Sequence, residues 1–369
     1  MSAYWNSRIQ NLSPYIPGEQ PKDRQWIKLN TNENPYPPSP KVMEAIRNAV
    51  DERLRLYPDP VCTEFREAVA ARYGIKPEQV FAGNGSDEIL AFAFGAFFNS
   101  GAESEPILFP DITYSFYPVY AGLWNIPYRT IPLNDDFSIN TAEYTIPSGG
   151  IVFPNPNAPT GMAVMLDEIV SLAEFAEKHK KVLIVDEAYI AFGAGSGIQS
   201  AVSCINSHPN LLVVHTLSKS ASLAGLRAGF AIGNEQLIEG LCHVRDSFNS
   251  YTLDRIALAG SSAAIADSEY YDEINRRVIA TREKVSKSLR DLGFSVLPSA
   301  ANFLFIKPPN IKGTDFCAAL RERGFLVRHF NQGRIADYLR VSMGTDKDMA
   351  AFIEICADIA GDASRGRNE

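Results

Sequence analysis

The middle of the chain is punctuated by short apolar, β-rich runs: QVFAG, EPILFP, GGIVFPNP, KVLIVDEA, NLLVVHTLS and AGFAIG. Each is apolar at nearly every position, not at every second one, so the strand it forms needs cover on both faces. Amphipathic stretches lie before and between these runs, including KVMEAIRNAVDERL, TEFREAVAARYG and LDEIVSLAEFAEKHKK. Strands alternating with helices in this way predict an α/β fold with a mainly parallel sheet covered by helices. Thr63 reads as the N-cap of TEFREAVAARYG, with Gly74 as its stop. Ser86 reads as the cap of SDEILAFAFGAFF, whose first turn carries acids.

The two ends differ from this middle. The first forty residues, with LSPYIPGEQP and LNTNENPYPPSPK, hold too much Pro and Asn for a continuous helix or a central strand. They predict an extended arm, 1–40. Its aromatics, Tyr4, Trp5, Tyr15, Trp26 and Tyr36, argue for packing. After about Tyr251 a long helical stretch leads into short strands and further helices, a smaller α+β unit. The expected division is therefore an arm, a large domain 41–255 and a small domain 256–369, with the last boundary inside helix.

Composition removes several function classes. At 46% hydrophobic and 21% charged, the 369-residue chain is ordinary for a globular protein. The formal charge of −8 disfavours nucleic acid as a main partner. The longest apolar stretch, Ile89 to Phe98, is too short to span a bilayer. MSAYWNSRIQ lacks the pattern of a signal peptide, so a cytoplasmic location is expected. Cys62, Cys204, Cys242, Cys317 and Cys356 are far apart and read as reduced, mostly buried thiols. The five histidines are scattered, and no metal site is expected.

Two nucleotide signatures fail on inspection. Gly83-Asn84-Gly85 begins like GxGxxG, but Glu88 holds the third glycine position. No GK pair exists for a P-loop, and no GxSxG elbow is present. Four other features converge on one chemistry. Lys219 follows the strand LLVVHT and precedes small residues and Arg227, a position in the ligand crevice of an α/β sheet. Asp186 ends KVLIVDEAY, where a buried carboxylate calls for a cationic partner. Asn157 lies in the turn FPNPNAPTG. Ser86 and Asp87 open a helix whose free N–H groups suit a phosphate. A lysine able to form a Schiff base, an acid for a pyridine nitrogen, and a phosphate cradle together match pyridoxal 5'-phosphate, which acts as an electron sink. Taken singly, each residue has an ordinary explanation: a solvated lysine, a turn former, a helix cap.

LNTNENPYPPSP, LYPDP, GNGSDE, NPNAPTG, VDEAYIAF, TLSKSASLAGLRAGF and YLRVSMGT carry a resemblance over nearly the whole chain. The chain resembles the fold-type I aminotransferases of class I and II, and among them most closely the histidinol-phosphate aminotransferases. The resemblance implies a homodimer, small-molecule donor and acceptor substrates, and ping-pong transfer to 2-oxoglutarate through pyridoxamine phosphate. It implies Lys219 as the cofactor lysine and proton shuttle, and Asp186 as partner of the pyridine nitrogen. Tyr189 and Asn157 would bond the cofactor's 3' oxygen, and Tyr114 would stack on its ring. Backbone groups of Ser86 and Asp87, with Thr216, Ser218 and Arg227, would hold its phosphate, joined by Tyr57 from the other subunit. Arg340 would clamp a carboxylate. Arg328, Asn302 and Tyr15 would shape the substrate end.

The sequence departs from this family's pattern in places. Ala158 stands where an Asn is common and His215 where an Arg is common. Ser220-Ala221-Ser222 lacks the frequent aromatic. Two alternatives on the same scaffold are an aromatic amino acid aminotransferase and a threonine-phosphate decarboxylase. A non-enzymatic regulator that binds the cofactor would need an extra DNA-binding domain, for which this length leaves no room.

Overall fold

The computed structural model of the chain describes residues 3–365. Its strands, in chain order, are β1 (Ile27–Leu29), β2 (Val80–Gly83), β3 (Ile107–Pro110), β4 (Tyr128–Ile131), β5 (Gly150–Pro154), β6 (Leu183–Asp186), β7 (Leu211–Thr216), β8 (Gly229–Gly233), β9 (Ser295–Val296), β10 (Phe303–Lys307), β11 (Phe325–His329) and β12 (Leu339–Ser342). The continuous apolar runs do form strands buried on both faces: every residue of β2, β3, β5, β6, β7 and β8 is buried.

These strands and β4 make one sheet in the order β2-β8-β7-β6-β5-β3-β4. The β7, β6, β5, β3 and β4 neighbours are parallel, while β8 runs antiparallel to both β2 and β7. The sheet is thus mainly parallel, as expected. β4 was not foreseen. It is an edge strand with three exposed residues, so it lacks the apolar signal of the others. Burying a side chain such as Phe153 or Ile184 stabilises the fold by roughly 1.5–3 kcal/mol before entropy is counted.

A second sheet has the order β1-β11-β12-β10-β9. The arm therefore supplies a strand of its own. β1 lies parallel to β11, at an edge, where a neighbouring proline-rich chain is tolerated. The arm also forms a short helix, Ser7–Asn11, capped by the Asn6 side chain. The helix Arg255–Ala266 packs on the helices Pro40–Ala49 and Thr63–Tyr73, on the large sheet's side. The 24-residue helix Ser268–Asp291 follows it and packs against the last helix, Asp346–Arg365.

Two expected caps are corrected. Cys62, in a left-handed conformation, precedes the helix that Thr63 opens, and the Asp59 side chain accepts from the Thr63 amide at 2.7 Å. Ser86 lies inside the first turn of Gly85–Phe97. Asn84 precedes that helix, and its amide donates to the Glu88 carboxylate at 2.7 Å. Gly74 does end its helix, at φ 67°. All five cysteines are unpaired, but only Cys62 and Cys356 are buried; the other three are half-buried. Among the described residues, no helix is long and apolar enough to cross a membrane.

Candidate active site

The carboxyl ends of β5, β6 and β7 come together in one cleft of about 400 Å³, where Pro154, Asp186 and Thr216 face the same space. This is where an open α/β sheet exposes strand ends and loops without disturbing its core. Ser86, Asp87, Tyr114, Tyr189, Ser218, Lys219 and Arg227 line it from the large unit. Arg328 and Arg340 line it from β11 and β12, and Tyr15 from the first forty residues.

Lys219 lies three residues after Thr216, the last residue of β7. Its Nζ donates to the main-chain carbonyl of Thr31 at 3.0 Å. Burial, aided by the nearby Arg340 charge, lowers its pKa to about 8, while Glu33 and Asp87 oppose the shift. A lysine so tuned is a nucleophile and base near neutral pH.

Asp186 is 4% exposed, and burial raises its pKa to about 7. Among the described residues no cationic side chain pairs with it. The carboxylate instead accepts from Tyr117 Oη at 3.2 Å and from the Ala188 amide at 3.2 Å. Neutral donors do not offset the loss of hydration, which is why the proton affinity rises. A protonated ring nitrogen of a ligand would offset this carboxylate.

The opposite end is built for an anion. Gly85 takes φ 77°, and a Cβ there would meet Arg227 Nη2 at 3.0 Å. β8 approaches so closely that a Cβ on Gly229 would lie 2.9 Å from the Ser86 nitrogen. The start of the helix Gly85–Phe97 is thereby fixed beside Arg227, whose Nη2 donates to Asp87 at 3.0 Å and Nη1 to Ser218 Oγ at 3.4 Å. Tyr114 Oη donates to Asp87 at 2.6 Å. Helix-start amides, two hydroxyl side chains and a guanidinium fit a phosphate group. Tyr189 accepts from Asn32 Nδ2 at 2.9 Å, and burial raises its pKa.

On the substrate side, β11 and β12 bring Arg328 directly opposite Arg340. Arg340 Nη2 donates to the Asn30 carbonyl at 3.0 Å, but its buried Nε has no partner. Among the described residues neither guanidinium has a carboxylate partner. Tyr15 stacks on Phe116 at 4.2 Å, which ties the arm to the cleft wall.

Three expected residues do not face the cleft. Asn157 is fully buried, its Nδ2 donating to the Ile112 carbonyl and Thr160 Oγ1 at 3.0 Å each. Its Oδ1 has no partner. Asn302 is also buried and donates to the Asn32 carbonyl at 3.0 Å. Tyr57 is 79% exposed and stacks on Tyr251 at 4.5 Å. Conversely, sequence reasoning missed Tyr117, Thr31, Asn32 and Glu33. The last three sit inside LNTNEN; Thr31 bonds Lys219, Asn32 bonds Tyr189 and Glu33 acts on Lys219 as a nearby charge, all set by chain folding and not by spacing.

The fold and the site define a class, and comparison agrees. The family model "Aminotransferase class I and II" matches residues 24–355, and the chain belongs to this family. A protein of Aromatoleum aromaticum named histidinol-phosphate aminotransferase is 51% identical over 363 residues, covering 97% of this chain and 99% of its own. One of the same name from Clostridium acetobutylicum is 51% identical over 354 residues, covering 96% and 98%. The histidinol-phosphate aminotransferase of Sinorhizobium meliloti, solved in complex with pyridoxal-5'-phosphate, superposes with a TM-score of 0.83 at 22% identity, covering 99% of each chain. Aspartate aminotransferase of Thermus thermophilus with maleate gives 0.81 at 18% identity, covering 96% and 99%. The fold alone therefore does not separate donors.

Proposed function

We propose that this chain is a pyridoxal-phosphate-dependent histidinol-phosphate aminotransferase that uses 2-oxoglutarate as acceptor and works as a cytoplasmic homodimer. The observation that carries the substrate assignment is Arg328 opposite Arg340 on the cleft wall, both without carboxylate partners. Like charges directly opposite on a sheet destabilise it, so a ligand anion is the natural complement. Two guanidiniums suit a donor that carries a phosphate and an acceptor that carries two carboxylates. The full-length identity with relatives of that name supports the same reading.

Ser86, Asp87, Thr216, Ser218 and Arg227 would hold the cofactor phosphate, Tyr114 would cover the ring, and Asp186 would pair with its nitrogen. Tyr189 and Asn157 would meet its 3' oxygen; Asn157 would do so by donating through Nδ2, which in this structure donates to the Ile112 carbonyl and Thr160 Oγ1. The chemistry supplied by bound pyridoxal phosphate is an electron sink for a substrate that has lost its Cα proton. Lys219 would hold the cofactor through its ε-amine. When free, that amine would take the Cα proton and return it elsewhere, for which a pKa of about 8 is suited. Asp186 keeps its negative charge beside the ring nitrogen. Arg340 orients a carboxylate and Arg328 the second anion, with Asn302 and Tyr15 shaping that end from behind.

The dimer reading rests on an exposed apolar band. Leu54, Leu56, Tyr57, Val61, Phe248 and Tyr251 are all exposed, which a solvated surface disfavours. Tyr57 would reach the partner's phosphate site from there. We also read the chain as arm 1–40, large domain 41–255 and small domain 256–369. A half-reaction screen tests the function by following cofactor absorbance as each donor is added. Histidinol phosphate should react fastest. Equal rates with phenylalanine or tyrosine would favour an aromatic aminotransferase, and CO2 from threonine phosphate a decarboxylase.

A further inference from the structure

Immediately after Asp186 stands a second buried acid. Glu187 is 1% exposed, and its carboxylate accepts from Ser200 Oγ at 2.5 Å and from the Ala201 amide at 2.7 Å. Among the described residues, no lysine or arginine pairs with it. The one basic group close by is His215, whose Nε2 lies 3.4 Å from Glu187 Oε2. That nitrogen is buried and makes no hydrogen bond, so Glu187 at 3.4 Å is a polar neighbour and not a hydrogen-bond partner of it. The imidazole is stacked on Phe230 at 4.9 Å and 15°, with Tyr73 at 5.8 Å on another side.

The two residues close adjacent strand ends. Asp186 pairs with Val214 in the β6–β7 ladder, and the Glu187 amide donates to the Val214 carbonyl at 2.8 Å. One strand delivers Asp186 to the cleft, and the other continues through Thr216 and Ser218 to Lys219. Ionising both groups in this apolar setting would cost two desolvations against one attraction. A single proton between them leaves the pair uncharged, with Glu187 as donor and Nε2 as acceptor.

We propose that Glu187 and His215 share one proton and act as a positioning pair for Asp186. With the proton present, Asp186 is the sole negative charge at the end of β6. Without it, a second carboxylate charge stands beside Asp186 and works against its setting. Burial moves the two groups in the directions this requires, Glu187 up to about 8 and His215 down to about 3. The other groups facing the pair are few. Asp186 raises Glu187 further, and Tyr73 is itself held up to about 12 by burial and by Glu187. Arg72 and Asp272, paired at 3.6 Å, line the small adjoining cavity that His215 and Ser220 share. The proposal rests on Asp186 being a cofactor ligand only for its positioning half.

The test has two arms. Imidazole 15N NMR from about pH 6 to about pH 9.5 reads the pair whether or not a cofactor binds, since His215→Phe assigns one of only five histidines. His215 should be neutral throughout, with one step near pH 8 that is absent in Glu187→Gln. An imidazolium signal at neutral pH, or a step that survives in Glu187→Gln, overturns the shared proton. The second arm is the pH titration of cofactor absorbance in the holoprotein. Glu187→Gln, which mimics the protonated acid, should displace its midpoint, and His215→Arg, which holds Glu187 ionised, should displace it the other way. An unchanged midpoint in Glu187→Gln overturns the positioning role while leaving the aminotransferase reading intact.

Discussion

Arg328 and Arg340 face each other across β11 and β12 in direct register, and both side chains reach the cleft. Each lies near Phe330, with 5.8 Å from either guanidinium to the ring centroid, so an aromatic face stands in for the missing carboxylates. Removing a charge-assisted anion contact typically costs 1.5–3 kcal/mol, or roughly 10- to 100-fold. Arg340→Ala should raise the KM for 2-oxoglutarate by about that factor. Arg328→Ala should shrink the preference for histidinol phosphate over histidinol. Steady-state kcat/KM with the phosphorylated and unphosphorylated donors measures it, and an unchanged ratio removes Arg328 from the site.

Lys219 donates to the carbonyl of Thr31, 188 residues earlier, so its amine is held at the cleft floor by the arm. Lys219→Ala should leave a folded protein without transaminase activity, because among the described residues no second lysine lines the cleft. Borohydride treatment of the holoprotein, followed by peptide mapping, should find the cofactor on Lys219. A label on any other lysine refutes the role. The lysine is more protonated below its pKa of about 8, so attachment of pyridoxal phosphate to the apoprotein should speed up as pH rises through that value.

What could be read from the chain follows from how local each signal is. Continuous apolar runs announced β2, β3 and β5–β8, because burial on both faces leaves no other composition possible. Lys219, Asp186 and Ser86 were visible because each sits at a strand end or a helix start. β1 and β4 were invisible for the opposite reason. β1 is three residues long and gains its strand character from β11, some 300 residues away. The cation expected beside Asp186 is supplied by none of the described residues, because the strand end that buries it is lined by neutral donors, Tyr117 and the Ala188 amide. The contacts of Thr31 and Asn32 were beyond reach, since the arm's path over the cleft leaves no periodicity in the sequence.

Tyr57 stacks on Tyr251 within an exposed apolar band and lies outside its own chain's cleft. Sedimentation at micromolar concentration should give a dimer. Tyr57→Phe should leave the dimer intact but weaken pyridoxal phosphate by about 10-fold, the worth of one hydrogen bond to a charged group. A fully active monomer contradicts the composite site.

Asp186 makes the pH dependence of the apoprotein predictable in sign. Burial raises its pKa from 3.8 to about 7, so the folded chain holds this proton more tightly than the unfolded one. Its contribution to stability is therefore fully present below about 3.8 and is lost as pH rises through about 7. The full effect is on the order of a few kcal/mol, at 1.36 kcal/mol per pKa unit. Other acids titrate too, so the useful quantity is the difference from Asp186→Asn, which mimics the neutral acid. In apoprotein melting curves the wild type should fall below Asp186→Asn by an amount that grows from about pH 3.8 to about pH 7 and stays constant above it. Bound pyridoxal phosphate should close the gap for the wild type, because a cationic ring nitrogen then offsets the carboxylate, and should help Asp186→Asn less. Asp186→Ala should also slow the half-reaction, more than Asp186→Glu does. If the alanine variant reacts at the wild-type rate, Asp186 is a structural acid and not the cofactor's partner.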